Sequence, residues 1–222
     1  MTDFYAGAYW GPRSEPLDVC AHRIADFATR IASVHADLGT WYEREGPGSP
    51  ARRVSSVGSS IKNVLLAGRS RRDTDASAMN ALGYRIALWN GREPGAGLSI
   101  RCGAVDPNVT NSCILQLPTD ATQDHDLLRI EGARGIVRAQ VEAWEPDWAT
   151  WTSDRWRRLQ GASGDPVVGL VTYLGPRYRV NVDALPPQIT TESLHVGSLI
   201  SAGGLREVSE GVLLAIARAI QR

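Results

Sequence analysis

The chain opens on an aromatic, strand-like run, Phe4-Tyr5-Ala6-Gly7-Ala8-Tyr9-Trp10, which sets large rings beside small residues as a closely packed strand tolerates. Gly11-Pro12 breaks that strand, and Ser14-Glu15-Pro16 reads as a helix start. Leu17, Cys20, Ile24, Phe27, Ile31, Val34, Leu38 and Trp41 then recur every three or four positions, which predicts one apolar stripe on a helix of about seven turns. Gly46-Pro47-Gly48-Ser49-Pro50 ends it. Residues 51–80 are polar and basic, with a short helical pattern at Ile61, Val64, Leu65 and Leu66.

Strand patterns follow at Tyr84–Trp89, Leu98–Gly103 and Cys113–Leu117, with turn signals at Asn90-Gly91 and Asp106-Pro107-Asn108, so an antiparallel meander is expected. A second long helix is expected from about Asp120 to Trp144 on the stripe Leu127, Ile130, Val137, Val141 and Trp144, weakened by Gly132 and Gly135. Glu145-Pro146-Asp147 stops it, and Trp148–Trp156 reads as a connector without a clean period. Strands at Val167–Leu174, Tyr178–Val182 and somewhere in Thr190–Ser201, then a helix over Leu205–Ile220, complete the pattern. Long helices near both ends and in the middle, with clustered hairpin strands between, predict an α+β fold with a mainly antiparallel sheet, in a single domain over 1–222.

Composition narrows the functional classes. Apolar residues make up 43% and charged residues 22%, so a core of ordinary size is expected. Net formal charge is zero, which argues against nucleic acid or an anionic membrane as a general partner. Met1-Thr2-Asp3-Phe4 lacks a secretory signal pattern, and no apolar run is long enough to span a bilayer, so the expected location is the cytoplasm. Cys20, Cys102 and Cys113 form no even framework and read as reduced thiols. Lys62 is the only lysine, so any lysine-dependent chemistry must use it.

No catalytic, metal or cofactor set emerges from the spacing. Cys20 and His22 face different directions on a helix, and no Gly-x-Ser-x-Gly elbow or phosphate loop is present. A small hydrolase using Cys113 or His125 is the alternative that stays open, each needing a partner supplied from elsewhere in the fold. Arg69-Ser70-Arg71-Arg72 is the sharpest basic cluster, with Asp73 and Asp75 beside it. Trp41, Trp89 and Trp144 fall on buried-type positions, whereas Trp148, Trp151 and Trp156 are open to an interface role.

Charge distribution says more than net charge. Residues 51–101 hold nine basic and three acidic side chains, and residues 102–154 hold nine acidic and three basic. The candidate contact residues for a basic partner are therefore Asp120, Asp124, Asp126, Glu131, Glu142, Glu145 and Asp147, with Trp148 and Trp151 as apolar anchors.

Several stretches carry a resemblance: Tyr5–Arg13, Gly68–Asp73, Leu82–Gly91, Ile100–Gly103, Asn111-Ser112-Cys113, Glu142–Trp148 and Gly169–Leu174. In this order and spacing the chain resembles the immunity-protein-fifty-two family of bacterial polymorphic toxin systems. The resemblance implies a non-enzymatic antidote without cofactor. Its implied partner is a cognate secreted toxin, commonly a nuclease of restriction-endonuclease-like fold, which it neutralises by binding.

Overall fold

A computed structural model describes residues 4–43, 51–55, 59–70, 79–118, 126–161 and 166–221. In chain order the elements are β1 (Phe4–Trp10), α1 (Leu17–Val34), β2 (Trp41–Glu43), β3 (Arg52–Val54), α2 (Ser59–Ala67), β4 (Tyr84–Trp89), β5 (Gly97–Cys102), β6 (Asn111–Gln116), α3 (Ile130–Trp144), β7 (Trp148–Ser153), α4 (Asp154–Leu159), β8 (Val171–Leu174), β9 (Arg179–Val180), β10 (Thr190–Leu194), β11 (Gly197–Ser201), α5 (Glu210–Ala219) and β12 (Ile220–Gln221). The fold is α+β with mainly antiparallel pairing, as the periodicity predicts. Two compact units emerge, residues 9–115 and residues 1–8 with 116–222.

In the unit of residues 9–115 the strand order is β6-β5-β4-β2-β3. α1 buries Cys20, Ile24, Phe27 and Ile31, each at most 2% exposed. Burying each of the larger three contributes about 1.5–3 kcal/mol. The predicted seven-turn helix is shorter than its stripe. His35 turns extended (φ −155°) and its ring accepts from Asp37 N, so Leu38 falls in a 3-10 turn and Trp41 in β2. An apolar stripe continued past a helix end because the next elements bury the same side. β4 and β5 pair antiparallel in the register Tyr84↔Cys102 through Trp89↔Gly97. Asn111 is fully buried at the start of β6: its Oδ1 accepts from Ala104 N at 2.9 Å, and its Nδ2 donates to Gly11 O and Ala104 O.

In the other unit the strand order is β10-β11-β8-β7-β1. α3 packs on β7 and β8, and Gln140 Nε2 donates to Ala6 O of β1 at 3.2 Å. The expected start of this helix near Asp120 lies outside the described residues; a 3-10 turn at Asp126–Leu128 precedes α3. A Cβ on Gly132 would meet Asp126 O at 2.4 Å, so the junction requires glycine despite a cost of about 1 kcal/mol in a helix. The expected connector after Trp148 is a strand instead. Ala149 through Ser153 are all buried, which erases the alternation that marks a half-exposed strand. Thr190–Ser201 is a hairpin, β10 with β11, turning at His195 with φ +52°. α5 begins only at Glu210, where the Ser209 hydroxyl accepts from Val212 N at 3.3 Å. It packs Leu213 and Ile216 against Val168, Leu174, Tyr178 and Ile200.

Candidate functional site

The acids concentrated in the sequence are dispersed by the fold. Asp120, Asp124 and His125 lie outside the described residues. Asp126 is exposed and lies 3.4 Å from Arg129 Nη1. Glu131 and Glu142 project from the exposed side of α3, but Arg134 and Arg138 lie between them. Both guanidiniums grip Glu192 of β10, Arg134 at 2.5 Å and Arg138 at 2.7 Å. This helix face is thus mixed in charge. At its C-terminal exit Glu142 and Glu145 are exposed, and Glu145 takes the left-handed conformation (φ +47°). Asp147 follows, half-buried and 3.0 Å from Arg177 Nη2.

The two anchor tryptophans separate. Trp148 is half-buried and packs on the core cluster around Leu174 and Ile200. Trp151 is 0% exposed and stacks on Phe4 at 4.9 Å between centroids, so, contrary to its expected role as an apolar anchor, it presents no surface to a partner. Trp156 also packs edge-on to Phe4, at 6.0 Å. Beside Glu145, burial first and the Glu145 charge second push the Tyr173 hydroxyl above its ordinary value, which keeps that ring neutral.

The three cysteines converge inside the unit of residues 9–115. All are free thiols, and all are 0% exposed. A hydrogen bond with Cys20 is the largest cause, and burial the next, that pushes the Cys102 thiol far above its ordinary value. Charge interactions with Cys20, Glu15 and Cys113 act in the same direction. A buried, protonated thiol is inert, since the thiolate is the nucleophile. Cys113 lies in the same fully buried group, so the structure offers the hydrolase alternative no accessible sulfur there. Glu15 beside them is buried and held by two guanidiniums, Arg13 at 3.1 Å and Arg23 at 2.8 Å. That pairing ties the exit of β1 to α1, the structural role a buried carboxylate needs. No group of three or more His, Cys, Asp or Glu among the described residues is arranged to hold a metal ion.

A second surface was missed by sequence reasoning. In β4, Arg85, Ala87 and Trp89 alternate with the buried Ile86 and Leu88, and in β5, Gly97, Ser99 and Arg101 alternate with the buried Leu98, Ile100 and Cys102. The register sets Arg85 directly opposite Arg101, Ala87 opposite Ser99 and Trp89 opposite Gly97. Tyr42 pairs with Trp89 across β2, their rings 6.2 Å apart, and Arg53 of β3 faces Tyr42. Trp89, expected in the core, is half-exposed here, while Trp41 and Trp144 are buried as expected. The outward face therefore reads arginine, aromatic and small residues, without a carboxylate on the β4 and β5 positions. Its signal was the alternation in Tyr84–Trp89 together with the basic excess of residues 51–101; only the register makes them one patch. Beside β3, a groove of about 620 Å³ is lined by Ala28, Ala32, Gly39, Trp41, Arg53 and Val54 among others, with no acid among the described lining residues.

The chain belongs to the family described as Immunity protein 52, whose model matches residues 2–220. Among solved structures it is similar to the T6SS protein PA0821 of Pseudomonas aeruginosa. That similarity has a TM-score of 0.52 at 13% identity, covering 99% of this chain and 72% of that one. At that identity the likeness concerns the fold alone. No curated protein matches the sequence. No helix among the described residues is long and apolar enough to cross a membrane.

Proposed function

We propose that this chain is an antidote that binds a cognate secreted bacterial toxin and neutralises it by forming a complex, without chemistry of its own. The observation that carries the reading is the family match over residues 2–220. The burial of Cys113 supports it, because it denies the cysteine form of the enzymatic alternative an accessible nucleophile. The whole chain acts as one immunity module in the cytoplasm, where an antidote meets a delivered toxin. The toxin is a nuclease of restriction-endonuclease-like fold, as the family resemblance implies.

The contact residues are Glu142, Glu145 and Asp147 with Trp148, which lie at the exit of α3, beyond Arg134 and Arg138. A nuclease groove is positive, so acids there speed encounter and fix orientation. The test is co-expression with the C-terminal domain of the toxin encoded beside this gene, reading host survival and co-purification. Survival with a co-purifying complex supports the reading, and unprotected hosts despite soluble, folded protein contradict it. Reversing Glu142 and Glu145 to Arg tests the surface separately: association slows and its salt dependence weakens. Unchanged rates would remove this surface and leave the antidote.

A further inference from the structure

We propose that the outward face of β3-β2-β4-β5 is a docking surface for an acidic patch on a protein partner, a contact of opposite sign to the one at the exit of α3. The inference rests on the antidote reading for the partner's identity, while the surface rests on the register.

Three observations carry it. Arg85 and Arg101 are directly opposite one another on an antiparallel pair, where facing Cβ atoms stand about 4.5–5.5 Å apart. Like charges at that spacing are destabilising, so isolated folding does not explain this pair. Neither arginine has an ion-pair partner among the described residues, and neither does Arg53. Other basic residues of the same segment are neutralised: Arg52 by Glu43, Lys62 by Asp18 and Arg92 by Asp37. Arg69 donates to Asn80 Oδ1 and lies over the Tyr84 ring, so among the described residues of this segment Arg53, Arg85 and Arg101 are the cations with neither an ion pair nor such a contact.

The chemistry between them suits protein docking. Ala87, Gly97 and Ser99 give a low, flat strip between the arginine pair and the Tyr42–Trp89 pair. Gly97 stands opposite Trp89, whose indole N–H donates to Arg92 O at 3.0 Å and whose ring is held beside Tyr42. Arg, Trp and Tyr are the residue types that dominate binding energy at interfaces. A paired carboxylate on the partner would relieve the Arg85–Arg101 repulsion on binding and satisfy both guanidiniums with charge-assisted hydrogen bonds. Arg53 extends the positive strip to the groove beside β3, whose described lining holds no acid and where a partner side chain can enter. A nucleic acid fits less well: Glu43 and Asp37 are held by Arg52 and Arg92 in the same unit, and net charge is zero.

The experiment measures binding of the purified neighbouring toxin domain to the wild type, to R85E/R101E, to R85S/R101S and to W89A, with folding checked by circular dichroism. Charge reversal is expected to slow association by about tenfold at low salt, and W89A to speed dissociation by about tenfold. R85S/R101S is expected to bind more weakly while melting at the same or a higher temperature, because it removes a like-charge pair. Wild-type binding with unchanged rates in all three variants overturns the surface and leaves the antidote reading intact. Absence of wild-type binding overturns both. Capture of a short DNA duplex by the wild type and not by R85E/R101E overturns the protein partner in favour of nucleic acid.

Discussion

Replacing Asn111 by alanine is expected to cost about 3–4 kcal/mol of stability, and the structure says where that loss comes from. The side chain is 0% exposed and makes three hydrogen bonds of 2.9–3.0 Å to main-chain atoms of Gly11 and Ala104. Ala104 O keeps Arg13 N as a donor at 2.9 Å, so losing Asn111 there costs only a net hydrogen bond. Ala104 N has Asn111 Oδ1 as its acceptor, and stranding that buried donor costs about 1–3 kcal/mol. The two bonds from Nδ2 contribute about 0.5–1.5 kcal/mol each. Asn111→Leu refills the volume and so separates hydrogen bonding from cavity formation; it is expected to lose nearly as much. Urea unfolding with matched m-values gives the difference, and amide exchange at Ala104 gives its location. Losses below about 1 kcal/mol in both variants, with Ala104 still protected, would refute the reasoning.

Other outcomes follow from the same packing. Denaturing alkylation is expected to label three free thiols, while the folded protein resists labelling; a Cys102–Cys113 disulfide under non-oxidising preparation would contradict it. Because the folded Cys102 pKa is raised, its contribution is fully present below the unfolded thiol value of about 8.5 and is lost as pH rises above it, at up to about 1.4 kcal/mol per pH unit. The urea midpoint should fall between neutral and alkaline pH, and Cys102→Ala should flatten that slope. Trp151→Ala is expected to cost about 3–5 kcal/mol, since the ring is fully buried on Phe4; a near-neutral effect on stability would contradict its removal from the surface. A folded Cys113→Ala variant is expected to keep full protection in the co-expression assay, and loss of rescue would revive the hydrolase reading.

Periodicity exposed the elements wherever one side of the element faced water. α1, β4, β5 and the latter part of α3 stood out for that reason. It failed where burial was complete, as in β7, and where a stripe outlasted its helix, as at Leu38 and Trp41. The site was less legible because charge counted along the sequence is not charge in space. Nine acids against three bases in residues 102–154 suggested a negative surface, yet Arg129, Arg134 and Arg138 fall among those acids on the same turn and helix. Conversely, Arg85 and Arg101 are sixteen positions apart and become one feature only through strand register.

The central claim is inhibition by binding, and an activity titration tests it most directly. The toxin domain is held at a fixed concentration well above the dissociation constant, and its activity is measured against increasing amounts of this protein. The account predicts a linear fall to a sharp end point at a fixed stoichiometric ratio, unchanged by longer incubation. Progressive inactivation by substoichiometric amounts would mean turnover and would contradict it.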